Sequence, residues 1–325
     1  VIKETKEKPS MPGQTDEFAM QLNRRKFLRS MAGSSVLLAS GLWSDHLFAA
    51  GEGTRIVLLH TNDVHSRIDP FPANDPKFPG MGGFARRSEV IRRIRSEHEH
   101  VLLLDAGDIF QGTPYFNLFQ GEPEIRLMNQ MGYDAATIGN HDFDGGIDNL
   151  ATRMRQADFP FLSVNYDLED TPLVGLARRY KVFRKGRVRV GVFGIGIDPA
   201  GLIDPSVCKG VAYLDPLKQA EMTSRLLRDE ERCDLVICLS HLGYQYAERK
   251  VSDEILAKET SGIDIIIGGH THTFLDTPVK FSNREGRQVL VAQAGWGGVR
   301  LGRVDFMFTA TYGKSVHFTS QENLF

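Results

Sequence analysis

Apolar runs of strand length alternate with helix-length amphipathic stretches along most of this chain. Residues 55–60 (Arg-Ile-Val-Leu-Leu-His) form an almost continuous apolar run, the pattern of a strand covered on both faces. Residues 84–97 repeat apolar side chains at helical spacing, with Arg86, Arg87, Arg92, Arg93 and Arg95 predicted on a solvated face. His98 and His100 fall at the end of that helix, where positive charge suits the dipole. A second strand is expected at 101–105, a helix at 123–131 ended by Gly132, and a third strand at 135–138. Further strands are expected at 161–164, 188–195, 234–240 and 263–267, with a helix between Asp215 and Arg228. Beyond Val279 helical periodicity disappears, and alternation typical of antiparallel strands runs through 303–308. The predicted fold class is α/β, with mixed sheets and helices outside. No internal repeat or long linker interrupts residues 51–325, which read as one domain.

Residues 1–50 have a different character. Asn23-Arg24-Arg25-Lys26-Phe27-Leu28-Arg29 precedes a mildly apolar stretch at 31–42, and then Leu47-Phe48-Ala49-Ala50-Gly51. A basic region, a short apolar region and small residues in that order read as a secretory signal, too short to span a bilayer. The paired Arg before Phe-Leu resembles the twin-arginine export signal, which implies a chain folded before it crosses to the periplasm. Residues 1–19 are polar and charged, and Met20 is the expected start.

Composition narrows the function classes. With 41% hydrophobic and 25% charged residues in 325, the chain has ample apolar material for a large core. Its net charge of -2, from 39 basic and 41 acidic residues, leaves no excess of positive charge to hold nucleic acid. Cys208, Cys233 and Cys238 form no disulfide framework, and Cys233 and Cys238 beside an apolar run read as buried thiols.

The candidate chemistry lies in five segments, each directly after an apolar run. They are His60-Thr-Asn-Asp63-Val-His65, Asp105-Ala-Gly-Asp108-Ile-Phe-Gln-Gly112, Gly139-Asn140-His141-Asp142-Phe-Asp144, Ser240-His241-Leu-Gly243 and Gly268-Gly269-His270-Thr271-His272. In open α/β sheets ligands collect beyond the carboxyl ends of strands. Singly, each has an ordinary structural reading: Asp108 after Gly107 as a turn or cap, His241 as a core or loop histidine. Together they supply carboxylates, an amide oxygen and imidazoles to one cleft, the donor set of a metal site. Trp296, between glycines, reads either as a wall of the site mouth or as packing.

The ordered series D-x-H, G-D-x-x-Q-G, G-N-H-D, S-H-L-G and G-H-T-H resembles the calcineurin-type metallophosphoesterase superfamily, and more narrowly the catalytic N-terminal domain of bacterial 5′-nucleotidases. The stretch Gln293-Ala-Gly-Trp-Gly-Gly-Val-Arg-Leu-Gly-Arg-Val-Asp305 resembles the end of that domain. The resemblance implies a four-layer α-β-β-α sandwich of two mixed β-sheets flanked by helices. It implies that Asp63, His65 and His272 hold one divalent metal ion, that Asn140, His241 and His270 hold a second, and that Asp108 bridges them. It places His141 beside the substrate phosphoryl group, with Asp144 orienting it.

Two divalent ions bring about +4 and two carboxylates return about -2, so such a centre attracts a phosphate dianion and acidifies a bridging water, whose hydroxide attacks phosphorus. Nitrogen-rich ligation favours Zn, Mn or Fe over Ca or Mg. The expected substrate is a phosphate monoester, a 5′-nucleotide or related small phosphoester. The family's C-terminal nucleotide-binding domain has no counterpart in residues 51–325. Two alternatives therefore stay open: a cyclic-nucleotide, phosphodiester or sulfur-ester hydrolase, or a catalytic chain served by a separately encoded nucleotidase-type domain.

Overall fold

Thr54–Thr61 (β1) is the apolar run expected near 55–60, and its side chains enter two different cores in alternation. Ile56 and Leu58 join one apolar cluster, Val57 and Leu59 another, as the two-residue period of a strand requires. The computed structural model describes residues 53–309 and 313–323, so the segments read as an export signal lie outside the described residues. Among the described residues no helix is long and apolar enough to cross a membrane.

Beside β1 run the parallel strands Val101–Asp105 (β2), Ala135–Thr137 (β3) and Phe161–Leu162 (β4), with Ala177–Arg178 (β6) at the edge. On the other side of β1, Arg300–Thr309 (β14) and then Gly313–Asn323 (β15) add antiparallel strands. The second sheet has Val188–Ile195 (β8), Leu235–Ser240 (β10), Ile265–Gly268 (β11) and Gln288–Ala292 (β13) parallel at its centre. Tyr180–Lys185 (β7) and Val279–Ser282 (β12) are its antiparallel edges. A two-stranded ribbon, Tyr166–Asp167 (β5) with Ala212–Tyr213 (β9), lies apart from both.

The two sheets face each other across a core of Ile56, Leu58, Leu102, Leu104, Val190, Ile237, Leu239 and Ile267. Helices Phe84–Glu97 (α1), Glu122–Met131 (α3) and Ile147–Gln156 (α4) cover the outer face of the first sheet through Ile91, Ile125 and Leu150. Pro216–Asp229 (α5) and Asp253–Glu259 (α6) cover the second through Leu227 and Leu256. The arrangement is the four-layer sandwich of two mixed sheets flanked by helices. The caps are local: Asp215 accepts from Leu217 N at 2.9 Å and Lys218 N at 3.1 Å to start α5, and Gly132 ends α3 in the left-handed region at φ 69°.

Several details depart from the sequence reading, among them the unexpected strands β5, β6, β7 and β9. Arg87 is buried rather than solvated, because it falls on the Phe84–Arg87–Ile91–Ile94 stripe that α1 turns to the core. His98 is no dipole-balancing cation: burial and then Arg303 lower its pKa, and its Nε2 lies 2.9 Å from Arg303 Nη2 as an acceptor. The strand expected at 161–164 stops at Leu162, because Val164 N turns to Gly194 O in the other sheet. Helices Pro114–Phe119 (α2), α4 and α6 were not expected.

Candidate metal centre

Asp63, Asp108 and Asn140 follow β1, β2 and β3, and His241 and His270 follow β10 and β11. Parallel pairing aligns the carboxyl ends of each set: Thr61 opposes Asp105 in one sheet and Ser240 opposes Gly268 in the other. Stacking the sheets then brings all five loops to one edge of the sandwich.

There the side chains form two groups. Donor atoms of Asp63, His65 and His272 lie within 4.8 Å of one another, and so do those of Asp108, His241 and His270. Asn140 Oδ1 joins the second group, 2.9 Å from His270 Nδ1. His65 Nε2 stands 3.1 Å from His272 Nε2, and His241 Nε2 stands 3.0 Å from Asp108 Oδ2. Donors sharing a cation at about 2.0–2.2 Å stand roughly 3 Å or a little more apart, so these spacings fit divalent ions.

The protonation pattern agrees. His65 Nδ1 donates to Gln111 O at 3.2 Å and His241 Nδ1 to Ala106 O at 2.7 Å, which turns each Nε2 toward the cluster. Burial and then His241 lower the His270 pKa to about 3; burial and then His65 lower that of His272 to about 4. Both rings therefore offer lone pairs at neutral pH. Burial opposes charge on His241, but Asp108 and then Asp63 outweigh it and raise its pKa to about 10, so the carboxylates demand positive charge at the buried Nε2. Burial likewise opposes ionisation of Asp108, but His241 and then His65 hold it well below the usual carboxylate range.

Asp63, His65, Asp108, His270 and His272 all have left-handed backbones, at φ 49°, 51°, 55°, 71° and 52°. Such residues cost about 1–3 kcal/mol each and persist where surrounding structure over-determines them. Each buried aliphatic side chain between the sheets contributes roughly 1.5–3 kcal/mol, so the sandwich can carry that strain. His141 lies at the rim with its side chain about a third exposed, its ring 5.5 Å from that of His65, and its Nδ1 donates to Asp144 Oδ2 at 2.8 Å.

The calcineurin-like phosphoesterase family model matches residues 56–274. The chain belongs to the calcineurin-like phosphoesterase family. A snake venom 5′-nucleotidase of Gloydius brevicauda is 32% identical over 296 residues, covering 84% of this chain and 49% of that protein. A trifunctional nucleotide phosphoesterase protein of Bacillus subtilis is 34% identical over 302 residues, covering 83% of this chain and 19% of that protein. The crystal structure of a 5′-nucleotidase precursor from Thermus thermophilus superposes with a TM-score of 0.74 at 32% identity, covering 83% of this chain and 54% of that one. The chain spans about half the length, or less, of these relatives.

In this calcineurin-like phosphoesterase, several residues that were given no role from sequence shape the loops. Asn62 donates to Asp63 Oδ2 and to Gly295 O, both at 2.6 Å, and accepts from Ala294 N at 2.8 Å. Asp105 accepts from Thr61 Oγ1 at 2.6 Å and Gly107 N at 2.9 Å, bending the chain ahead of Asp108. Gln293 Nε2 donates to Gly269 O at 2.9 Å and its Oε1 accepts from Thr273 N, bracing the His270–His272 loop. Asn62 and Asp105 stand beside the ligand motifs, and Gln293 opens the stretch that resembles the end of the domain. Trp296 takes both roles considered for it: its ring stacks on His272 at 5.7 Å and 15°, and packs against Phe71 at 5.5 Å.

Proposed function

We propose that the chain is an exported dinuclear-metal phosphomonoesterase acting on 5′-nucleotides or related small phosphoesters. The observation that carries this reading is the meeting of two donor clusters beside the His141–Asp144 pair. Asp63, His65 and His272 would hold one divalent ion and Asn140, His241 and His270 the other, with Asp108 shared between them; Zn, Mn or Fe suits so many nitrogen donors. When bound, the pair supplies Lewis-acid charge to the phosphoryl oxygens and acidifies water. The chain's own residues do the rest. Asp144 orients His141 through Nδ1, so that Nε2 holds or passes a proton at the leaving oxygen. Trp296 keeps the His272 ring in plane and closes one flank of the site. The names of the relatives support a nucleotide substrate. The basic, apolar and small-residue order at 23–51 supports export through a twin-arginine signal.

The test is a side-by-side assay of the metal-loaded chain with AMP, an aryl phosphate, a bis-aryl phosphodiester and single-stranded DNA. Hydrolysis of AMP and the aryl phosphate is expected. Preference for the diester or DNA, or inactivity toward all four, overturns the proposal. For export, mass spectrometry of periplasmic protein should find a mature N-terminus beyond the apolar stretch; a chain beginning before Arg24 there rules it out.

A further inference from the structure

Asp142 stands in neither donor group, yet its side chain is fully buried and accepts four backbone N–H bonds. Oδ2 accepts from Gly139 N at 2.8 Å and Asp108 N at 3.1 Å, and Oδ1 accepts from Ile109 N at 2.9 Å and Phe110 N at 3.2 Å. Three of the donors are consecutive amides of the loop after β2, converging on the two carboxyl oxygens. The fourth belongs to the loop after β3. The two loops answer each other, because His141 N donates back to Asp108 Oδ1 at 2.8 Å. That bond takes up one Asp108 oxygen and leaves Oδ2 toward His241, at 3.0 Å, and His65, at 3.8 Å. Gly139 permits the approach: a Cβ there would lie 2.2 Å from Asp108 Oδ1.

We infer that Asp142 is a positioning residue for phosphoester hydrolysis, a buried carboxyl that clasps the Asp108 loop to the Asn140–His141 loop and so sets the separation of Asp108 from the His141 imidazole. Without the clasp, three consecutive buried amides lose their acceptor and the His141 N bond to Asp108 Oδ1 loses its support. The inference builds on the dinuclear hydrolase reading above.

The test compares wild type with Asp142→Asn, which keeps the shape but turns an amide NH₂ toward N–H donors. Manganese binding is followed by electron paramagnetic resonance, and turnover with an aryl phosphate. The variant is expected to bind manganese about 10–100-fold more weakly, the usual effect of losing an outer-shell partner. Its spin-coupled two-manganese signal should change, and kcat should stay about 10–100-fold low even at saturating manganese. A purely structural role predicts a lower melting temperature with wild-type binding, signal and saturated kcat in the folded protein; that result overturns the inference. If Asp142→Asn does not fold, Asp142→Glu keeps the carboxyl and shifts the oxygens by one methylene. Lowered saturated kcat is then expected, and wild-type values overturn the inference. Wild type that neither binds manganese nor hydrolyses the ester sinks the hydrolase reading and this inference with it; a working wild type matched by its variant sinks the inference alone.

Discussion

His65 Nε2 and His272 Nε2 stand 3.1 Å apart although 207 residues separate them in the chain. Burial lowers the pKa of both rings, and the Nδ1–H of His65 is committed to Gln111 O, so lone pairs face a common point. A cation there relieves the repulsion and stabilises the fold by mass action, by about 4 kcal/mol at a thousandfold excess over Kd. Chelation should therefore lower the melting temperature by roughly 10 °C and abolish hydrolysis, with both restored on adding Zn or Mn. Scanning calorimetry with and without chelator checks this; identical melting would remove the metal from these rings.

The His141–Asp144 pair lies outside both donor groups. His141→Asn should cut turnover by roughly 10²–10⁴-fold, the range for losing an acid–base group, with metal content unchanged. Asp144→Asn should cost less, since it removes the orienting partner and keeps the imidazole. Loss of metal from His141→Asn, measured by elemental analysis, would make His141 a ligand instead.

Gly139 has an ordinary backbone angle, so its lack of a side chain serves space alone. In Gly139→Ala the new Cβ would meet Asp108 Oδ1 at 2.2 Å and Asp108 N at 2.4 Å, and backbone cannot swing aside as a flexible side chain can. Displacing Asp108 should lower kcat by about 100-fold while circular dichroism stays native. Wild-type turnover would place Asp108 outside the centre.

His60 is fully buried opposite Gly302, and neither ring nitrogen has a hydrogen-bond partner. Burial lowers its pKa to about 4 from 6.5. The folded-state value is depressed, so the unfolded chain takes up the proton first, and stability present above pH 6.5 is lost as the pH falls toward 4. The loss from this group is about 2 kcal/mol at pH 5. His60→Leu removes it, so the variant should gain on wild type between pH 7 and pH 5 in urea unfolding. A constant difference between the two would show that His60 does not titrate across the transition.

Much of the candidate centre was legible because its donors follow the points where apolar strand runs end and polar chemistry begins. That switch is local in the chain, as at Leu239-Ser240-His241 and Ile267-Gly268-Gly269-His270. Arg87 was misread for a physical reason. Its position on the buried stripe of α1 is a matter of phase, while its chemistry speaks for solvent, and only the neighbouring Phe84 ring and Gly298 O show how a guanidinium is accommodated. Asp142 was seen within its motif, but four amides from two loops are invisible in a linear reading.

Local chemistry settled the alternation of strands and helices, the two-core pattern of β1 and the types of donor after each strand, because these depend on residues within a few positions of one another. Which donors come together depended on the stacking of two sheets built from distant parts of the chain. Asp63 and His272 lie 3.5 Å apart, and His270 N reaches Asp63 Oδ1 at 2.9 Å, only because β1 and β11 end at the same edge of the sandwich. The left-handed turns that aim the ligands are likewise held by tertiary bonds such as His65 N to Asp108 O at 3.0 Å and Asp63 N to Gly107 O at 2.9 Å. An isolated Asp or His would avoid those angles, so the sandwich is what makes them affordable.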